Sequence, residues 1–140
     1  MLVDLCHEVM IEDVKIIKSI GGIRDTMASI FLAELADIGR FKSYKHLIAF
    51  IGLAPSNHQS GNFVGRSTIS KMGNRHLRWV IYLMSSCVVR YDNAFHRYFL
   101  KKTKKAQPHN KAIIATSHKL LRIIFSLLMS RSFHKEQVNA

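Results

Sequence analysis

Acidic residues are nearly missing from the last three quarters of this chain. Residues 1–37 hold seven Asp or Glu against three Lys or Arg, whereas residues 38–140 hold eighteen Lys or Arg against two acids. Between Asp37 and Glu136 the one acid is Asp92. A solvated helical surface normally mixes both signs, because like charges repel. So one-sided a region points to a polyanionic partner, of which nucleic acid is the commonest. The plainer alternative is a basic protein with no specific ligand.

Other scarcities exclude whole classes. Two prolines and seven glycines in 140 residues leave few turns, which disfavours an architecture of many short strands. Two cysteines, Cys6 and Cys87, are too few and too far apart for a disulfide scaffold, and they read as reduced core residues of a cytoplasmic protein. Eight histidines include no HxxxH pair and there is no CxxC, so no zinc or other metal site is expected. Asp13, Asp25 and Asp37 are not spaced as metal ligands either. The first thirteen residues carry acids and no basic leader, which is unlike a signal peptide. The longest uncharged apolar stretch, Trp79 to Val89, falls short of the roughly 20 residues of a membrane span and is expected to be a buried helix, with no membrane partner.

What is present is helical periodicity. With 48% apolar residues the chain can bury one core, and it is expected to form a single all-α domain over residues 1–140. About six helices are expected. Leu2 to Lys18 ends at Gly21-Gly22; Met27 to Ala36 is capped by Asp25-Thr26; Tyr44 to Ile51 is capped by Ser43 and stopped near Gly52. A fourth helix runs from the cap Asn74 to about Arg90, a fifth from the cap Asn93 over Ala94 to Lys105, and a sixth from a first turn holding Pro108 to about Ser130. Between Leu53 and Gly73 the periodicity disappears, leaving a long, polar, glycine-rich irregular centre. The sixth helix is apolar nearly all round from Leu120 to Met129. It must therefore be the hub of the core or share a face with a second copy, so self-association is expected.

Four constellations carry chemistry. Ile20-Gly21-Gly22-Ile23, a hydrophobic-glycine turn between helices, resembles a helix-hairpin-helix, whose exposed backbone N–H groups bind a DNA phosphate; the alternative is a turn that only packs. In the irregular centre, Ser60 precedes Gly61 and is followed by Arg66, Lys71, Arg75 and Arg78, so a hydroxyl and phosphate-stabilising cations lie close in sequence. Ser67 to Arg78 gathers hydroxyls, Gly73, Asn74 and cations at a helix start, an anion-binding arrangement whose alternative is an ordinary capped terminus. Lys101 to Lys105 is a cationic helix end that suits the C-terminal dipole and can add phosphate contacts without reading bases. His58, two residues before Ser60, reads as a bystander.

Taken in order, Ile20-Gly21-Gly22-Ile23, Leu32-Ala33-Glu34-Leu35, Arg40-Phe41-Lys42-Ser43, Gly52-Leu53-Ala54-Pro55-Ser56, Gln59-Ser60-Gly61 and Ile69-Ser70-Lys71-Met72-Gly73-Asn74-Arg75 resemble the C-terminal domain of a class of insertion-sequence transposases. These pair an N-terminal RuvC-like nuclease half with a serine-bearing C-terminal half, and some are guided by a bridging RNA. The resemblance spans about residues 16 to 130 and implies DNA as the partner, a guide RNA in some members, and assembly of more than one copy. It implies that Ser60 is the nucleophile forming a covalent link to DNA, with Gly21, Gly22, Ile23, Arg66, Lys71, Asn74, Arg75 and Arg78 as DNA-binding residues. The divalent metal belongs to the RuvC-like half, which this sequence does not carry, so no cofactor is expected in this chain and no activity from it alone. A non-catalytic nucleic-acid-binding or subunit-assembly module is the alternative.

Overall fold

The computed structural model describes residues 11–53, 74–104 and 108–134. Within them the chain is all-α. Helix α1 covers residues 11–18, and Ile16, Ile17 and Ile20 put its apolar stripe into the core with no exposed surface. The chain then turns through Gly21-Gly22. Gly22 has φ +99°, and a Cβ there would lie 2.8 Å from the Cys87 carbonyl oxygen, so the turn is glycine both for its backbone angle and for its approach to a neighbouring helix.

Helix α2 spans Asp25–Leu35 and buries Ala28, Phe31, Leu32 and Leu35. Asp25-Thr26 does not cap it, contrary to expectation. Arg24 holds the cap position without a side-chain bond, and Asp25 lies inside the first turn, 2.6 Å from Lys18 Nζ. There its charge complements the positive end of the helix dipole rather than accepting a cap bond. A 3₁₀ turn at Ile38–Arg40 leads to α3, Tyr44–Ile51, where Ser43 Oγ accepts the cap bond from the His46 amide. Gly52 ends α3 in the left-handed conformation, and Leu53 N donates back to the Ile48 carbonyl at 3.1 Å.

Helix α4, Arg75–Tyr91, starts at the expected cap, with Asn74 Oδ1 accepting from Leu77 N at 3.1 Å. Helix α5, Asn93–Lys104, is capped by Asp92 rather than Asn93: Asp92 Oδ1 accepts from the amides of Ala94 and Phe95 at 2.9 and 3.2 Å. A carboxylate serves better there than an amide, since its charge also meets the dipole. Helix α6, His109–Ser130, begins one residue after Pro108, which sits at the cap instead of in the first turn.

Helix α6 is the hub, packing on α3, α4, α5 and the 3₁₀ turn. It buries Ala112, Ile113, Leu120, Leu121, Ile124 and Leu128, while Arg122 and Ser126 mark its exposed face. By length and composition it is long and apolar enough to cross a membrane, yet its apolar side chains are those that close this core. Where α4 and α6 meet, buried Ser85 Oγ and Ser117 Oγ lie 2.8 Å apart; Ser117 donates to the Ile113 carbonyl, so the shared proton comes from Ser85. Two small residues let the helices approach, and their hydroxyls leave no polar atom wanting. The stretch Trp79 to Val89 is only in part the buried helix expected: Val80, Ile81, Met84, Val88 and Val89 are buried, but Trp79 is 59% exposed. Cys87 is a free, half-buried thiol, and Cys6 lies outside the described residues.

Candidate nucleic-acid interface

The irregular centre of the sequence lies outside the described residues from Ala54 to Gly73, and with it Ser60, Arg66 and Lys71. The structure does describe the two ends from which this segment departs. Upstream, Leu53 is buried, and its carbonyl accepts a 3.0 Å bond from His118 on α6, which fixes the proton of His118 on Nε2. Downstream, Asn74 N donates to the Phe50 carbonyl at 3.4 Å, and Asn74 Nδ2 donates to Glu34 Oε2 at 3.1 Å. The segment therefore leaves α3 and enters α4 at neighbouring points of one rigid body.

Just past the downstream end stand the remaining candidates. Arg75 is exposed on the first turn of α4. Arg78, one turn on, is half-buried, and its Nη1 is shut off from solvent without a hydrogen-bond partner among the described residues. A guanidinium N–H left unpaired out of water is costly. Asn74 spends both ends of its amide within the protein, on Leu77 and Glu34, so its shown task is to fix the start of α4.

The glycine turn is placed differently. Gly21 and Gly22 face the C-terminal end of α4, against Cys87 and Tyr91; Ile23 is buried; and Ile23 N donates to the Ile20 carbonyl at 3.3 Å. These contacts pack the turn against α4. The structure does not bring it together with Arg75 and Arg78 on the first turns of α4.

Two features escaped the sequence reading. Trp79 follows Arg78 directly and stands one turn beyond Arg75, presenting a bare indole among cations; its spacing from the arginines was the available signal, hidden because it opens an apolar run. Asp92, the lone acid of the basic region, is only 3% exposed, so it does little to soften the outer charge. Two other exposed cations have partners within the protein. Arg131 pairs with Glu12 at 2.8 Å and with Asp13, whose carboxyl is raised above the usual range chiefly by burial, and Arg40 lies over the rings of Phe41 and Phe50 at 5.1 and 4.7 Å. Among the described acids of the N-terminal stretch, Glu12 and Asp13 engage the end of α6, Asp25 engages α1 and Glu34 meets Asn74 at the start of α4, while Arg75 on α4 and Arg97, Lys101 and Lys104 on α5 stand exposed.

The family model of the transposase IS116/IS110/IS902 family matches residues 14–100. The chain belongs to this family. It is similar to the transposase for insertion sequence element IS1111A of Coxiella burnetii (32% identical over 127 residues, 89% of this chain and 35% of the relative). It is also similar to the pilin gene-inverting protein of Moraxella bovis (31% over 124 residues, 86% and 38%). A third relative is an uncharacterised 43.6 kDa protein of insertion element IS110 from Streptomyces coelicolor (22% over 125 residues, 89% and 31%). The chain spans about a third of the length of these curated relatives.

Proposed function

We propose that this chain is the C-terminal, serine-bearing, DNA-binding part of an insertion-sequence transposase, acting on DNA in the cytoplasm within an assembly of more than one copy. The observation that carries this reading is the surroundings of the described residues that flank the stretch 54–73, which bears Ser60. The flanking Leu53 and Asn74 are bonded to α6 and α3, and after Asn74 come Arg75, Arg78, whose Nη1 has no hydrogen-bond partner among the described residues, and exposed Trp79. In this reading Arg66, Lys71, Arg75 and Arg78 bind phosphates, Trp79 offers a face on which an unpaired base stacks, and the Gly21-Gly22-Ile23 turn adds a backbone contact. The relative whose name is gene inversion supports rearrangement of DNA as the outcome.

The chemistry is balanced without ATP. Ser60 Oγ attacks a phosphorus; the Oγ–P bond forms as the P–O bond to the departing strand breaks, and the freed strand end takes up a proton. A hydroxyl of a second strand then attacks the same phosphorus and releases the serine, so the number of phosphodiester bonds is unchanged. Among the described residues no group of three or more His, Cys, Asp or Glu comes together to hold a metal. The divalent metal implied by the resemblance does not fit these residues, no step is assigned to it, and it belongs with the RuvC-like half. A guide RNA, as in some members of the resembling class, would share the same cationic surface.

In the full-length protein carrying this domain, Ser60→Ala should abolish recombination and the covalent protein–DNA adduct on a denaturing gel, with DNA binding retained. The 140-residue chain alone should exchange no strands. A Ser60→Ala protein that recombines at the normal rate, or an adduct mapped to another residue, overturns the assignment.

A further inference from the structure

A second group of cations lines an open cleft of about 540 Å³ between α5 and α6. Arg97, Lys101 and Lys104 line one wall, at positions i, i+4 and i+7 of α5, and Lys119 of α6 stands opposite. None of the four forms an ion pair among the described residues. A dipole argument accounts for cations in the last turn of α5, but not for Arg97 near its start nor for Lys119 on another helix. Like charges at these spacings repel, which is a cost in the free protein. Tyr98 holds the ammonium groups in place: Lys119 Nζ lies 4.6 Å from its ring centroid and Lys102 Nζ 5.4 Å. Burial pulls the Lys119 ammonium below the ordinary lysine range, and Arg97, Arg122 and Lys101 push it the same way against Asp92.

We infer that the α5–α6 cleft binds the phosphodiester backbone of a nucleic acid strand, as a clamp built from residues of α5 and α6 and without reading bases. The α5 row rises about 10 Å from Arg97 to Lys104, the axial length of about three nucleotides of one strand at 3.4 Å each. The facing Lys119 makes a two-walled groove of it, so a strand lies between cations rather than against a flat patch. With its ring faces engaged by Lys119 and Lys102, Tyr98 orients cations and leaves phosphate contact, not stacking, as the mode of binding.

This inference rests on the nucleic-acid reading above, and one experiment separates the two. The 140-residue chain is titrated against a fluorescein-labelled 20-base-pair DNA duplex and an RNA duplex of the same sequence across a salt series, read by anisotropy. The cleft variant is Arg97→Gln/Lys101→Gln/Lys104→Gln. The control, Lys15→Gln/Lys45→Gln/Arg90→Gln, removes the same charge from exposed positions outside the cleft. The cleft variant should lower the slope of log affinity against log salt by about two to three, at about 0.9 per lost phosphate contact, and weaken low-salt binding at least tenfold, with the control close to the parent. Lys119→Met should lower the slope by about one. Loss on the DNA duplex assigns the cleft to target or donor DNA, and loss on the RNA duplex alone assigns it to a guide strand. Equal losses in cleft variant and control, or no loss in either while the parent binds, overturn the clamp alone. A parent chain that binds neither duplex at low salt removes the nucleic-acid reading itself.

Discussion

His134 Nε2 lies 3.1 Å from Asp92 Oδ2, and the other oxygen of the same carboxylate caps α5. The one acid between Asp37 and Glu136 is thus buried and paired with His134, whose N also donates to Ser19 Oγ at 2.7 Å. Asp92→Ala should destabilise the fold by about 1–2 kcal/mol through the lost cap, and more through the unpaired amides of Ala94 and Phe95. Urea unfolding measures this. A change under about 0.5 kcal/mol, the size expected at an ordinary surface site, would show that the cap bears no weight.

Gly22→Ala should be severely destabilising and Gly21→Ala mild. The first forces a side chain to φ +99° with its Cβ 2.8 Å from the Cys87 carbonyl, a backbone atom that cannot swing away; the second meets Tyr91 O at 3.4 Å. Positive φ alone costs about 1–3 kcal/mol, and the clash adds to it. Comparable unfolding midpoints for the two variants would rule out the close approach of the turn to α4.

Trp79 is the one tryptophan, so its emission reports directly on the start of α4. Adding oligo(dT) at low salt should quench it, and Arg75→Gln/Arg78→Gln should weaken the quench and reduce the salt slope by about two, one for each phosphate contact. Emission unchanged while anisotropy reports bound DNA would exclude Trp79 from the interface.

His118→Ala removes the bond to Leu53 O and should cost about 1 kcal/mol, while also speeding amide hydrogen exchange at Gly52 and Leu53. Gln at this position still offers an N–H and should restore part of the protection. Exchange that is the same in parent and His118→Ala would mean the upstream end is fixed by Leu53 burial alone.

The helices were legible in the sequence because their signals are local. Ser43 and Asn74 cap as their types dictate, and Gly52 stops α3. The misread caps fell where two candidates adjoin: Asp25 beside Arg24, and Asn93 beside Asp92, where the choice depends on how the preceding helix ends. Whether α6 was hub or interface could not be read from its own pattern, since an all-round apolar face says only that it must be covered. In the structure α3, α4 and α5 cover much of it, while Arg122, Ser126 and Met129 stay exposed. The α5–α6 cleft was half legible, as the lysines of α5, but Lys119 joins them only through docking of two helices.

The bonds from Phe50 to Asn74 and from His118 to Leu53 hold two points of the chain together whatever runs between them. With the ends already fixed by the body, the entropy of closing the intervening segment grows only with the logarithm of its length, about 0.6 kcal/mol for each doubling. Residues 54–73 are therefore a stretch that can lengthen, shorten or change composition at little expense to the fold. Selection can rework that stretch while the helices on either side of it stay as they are.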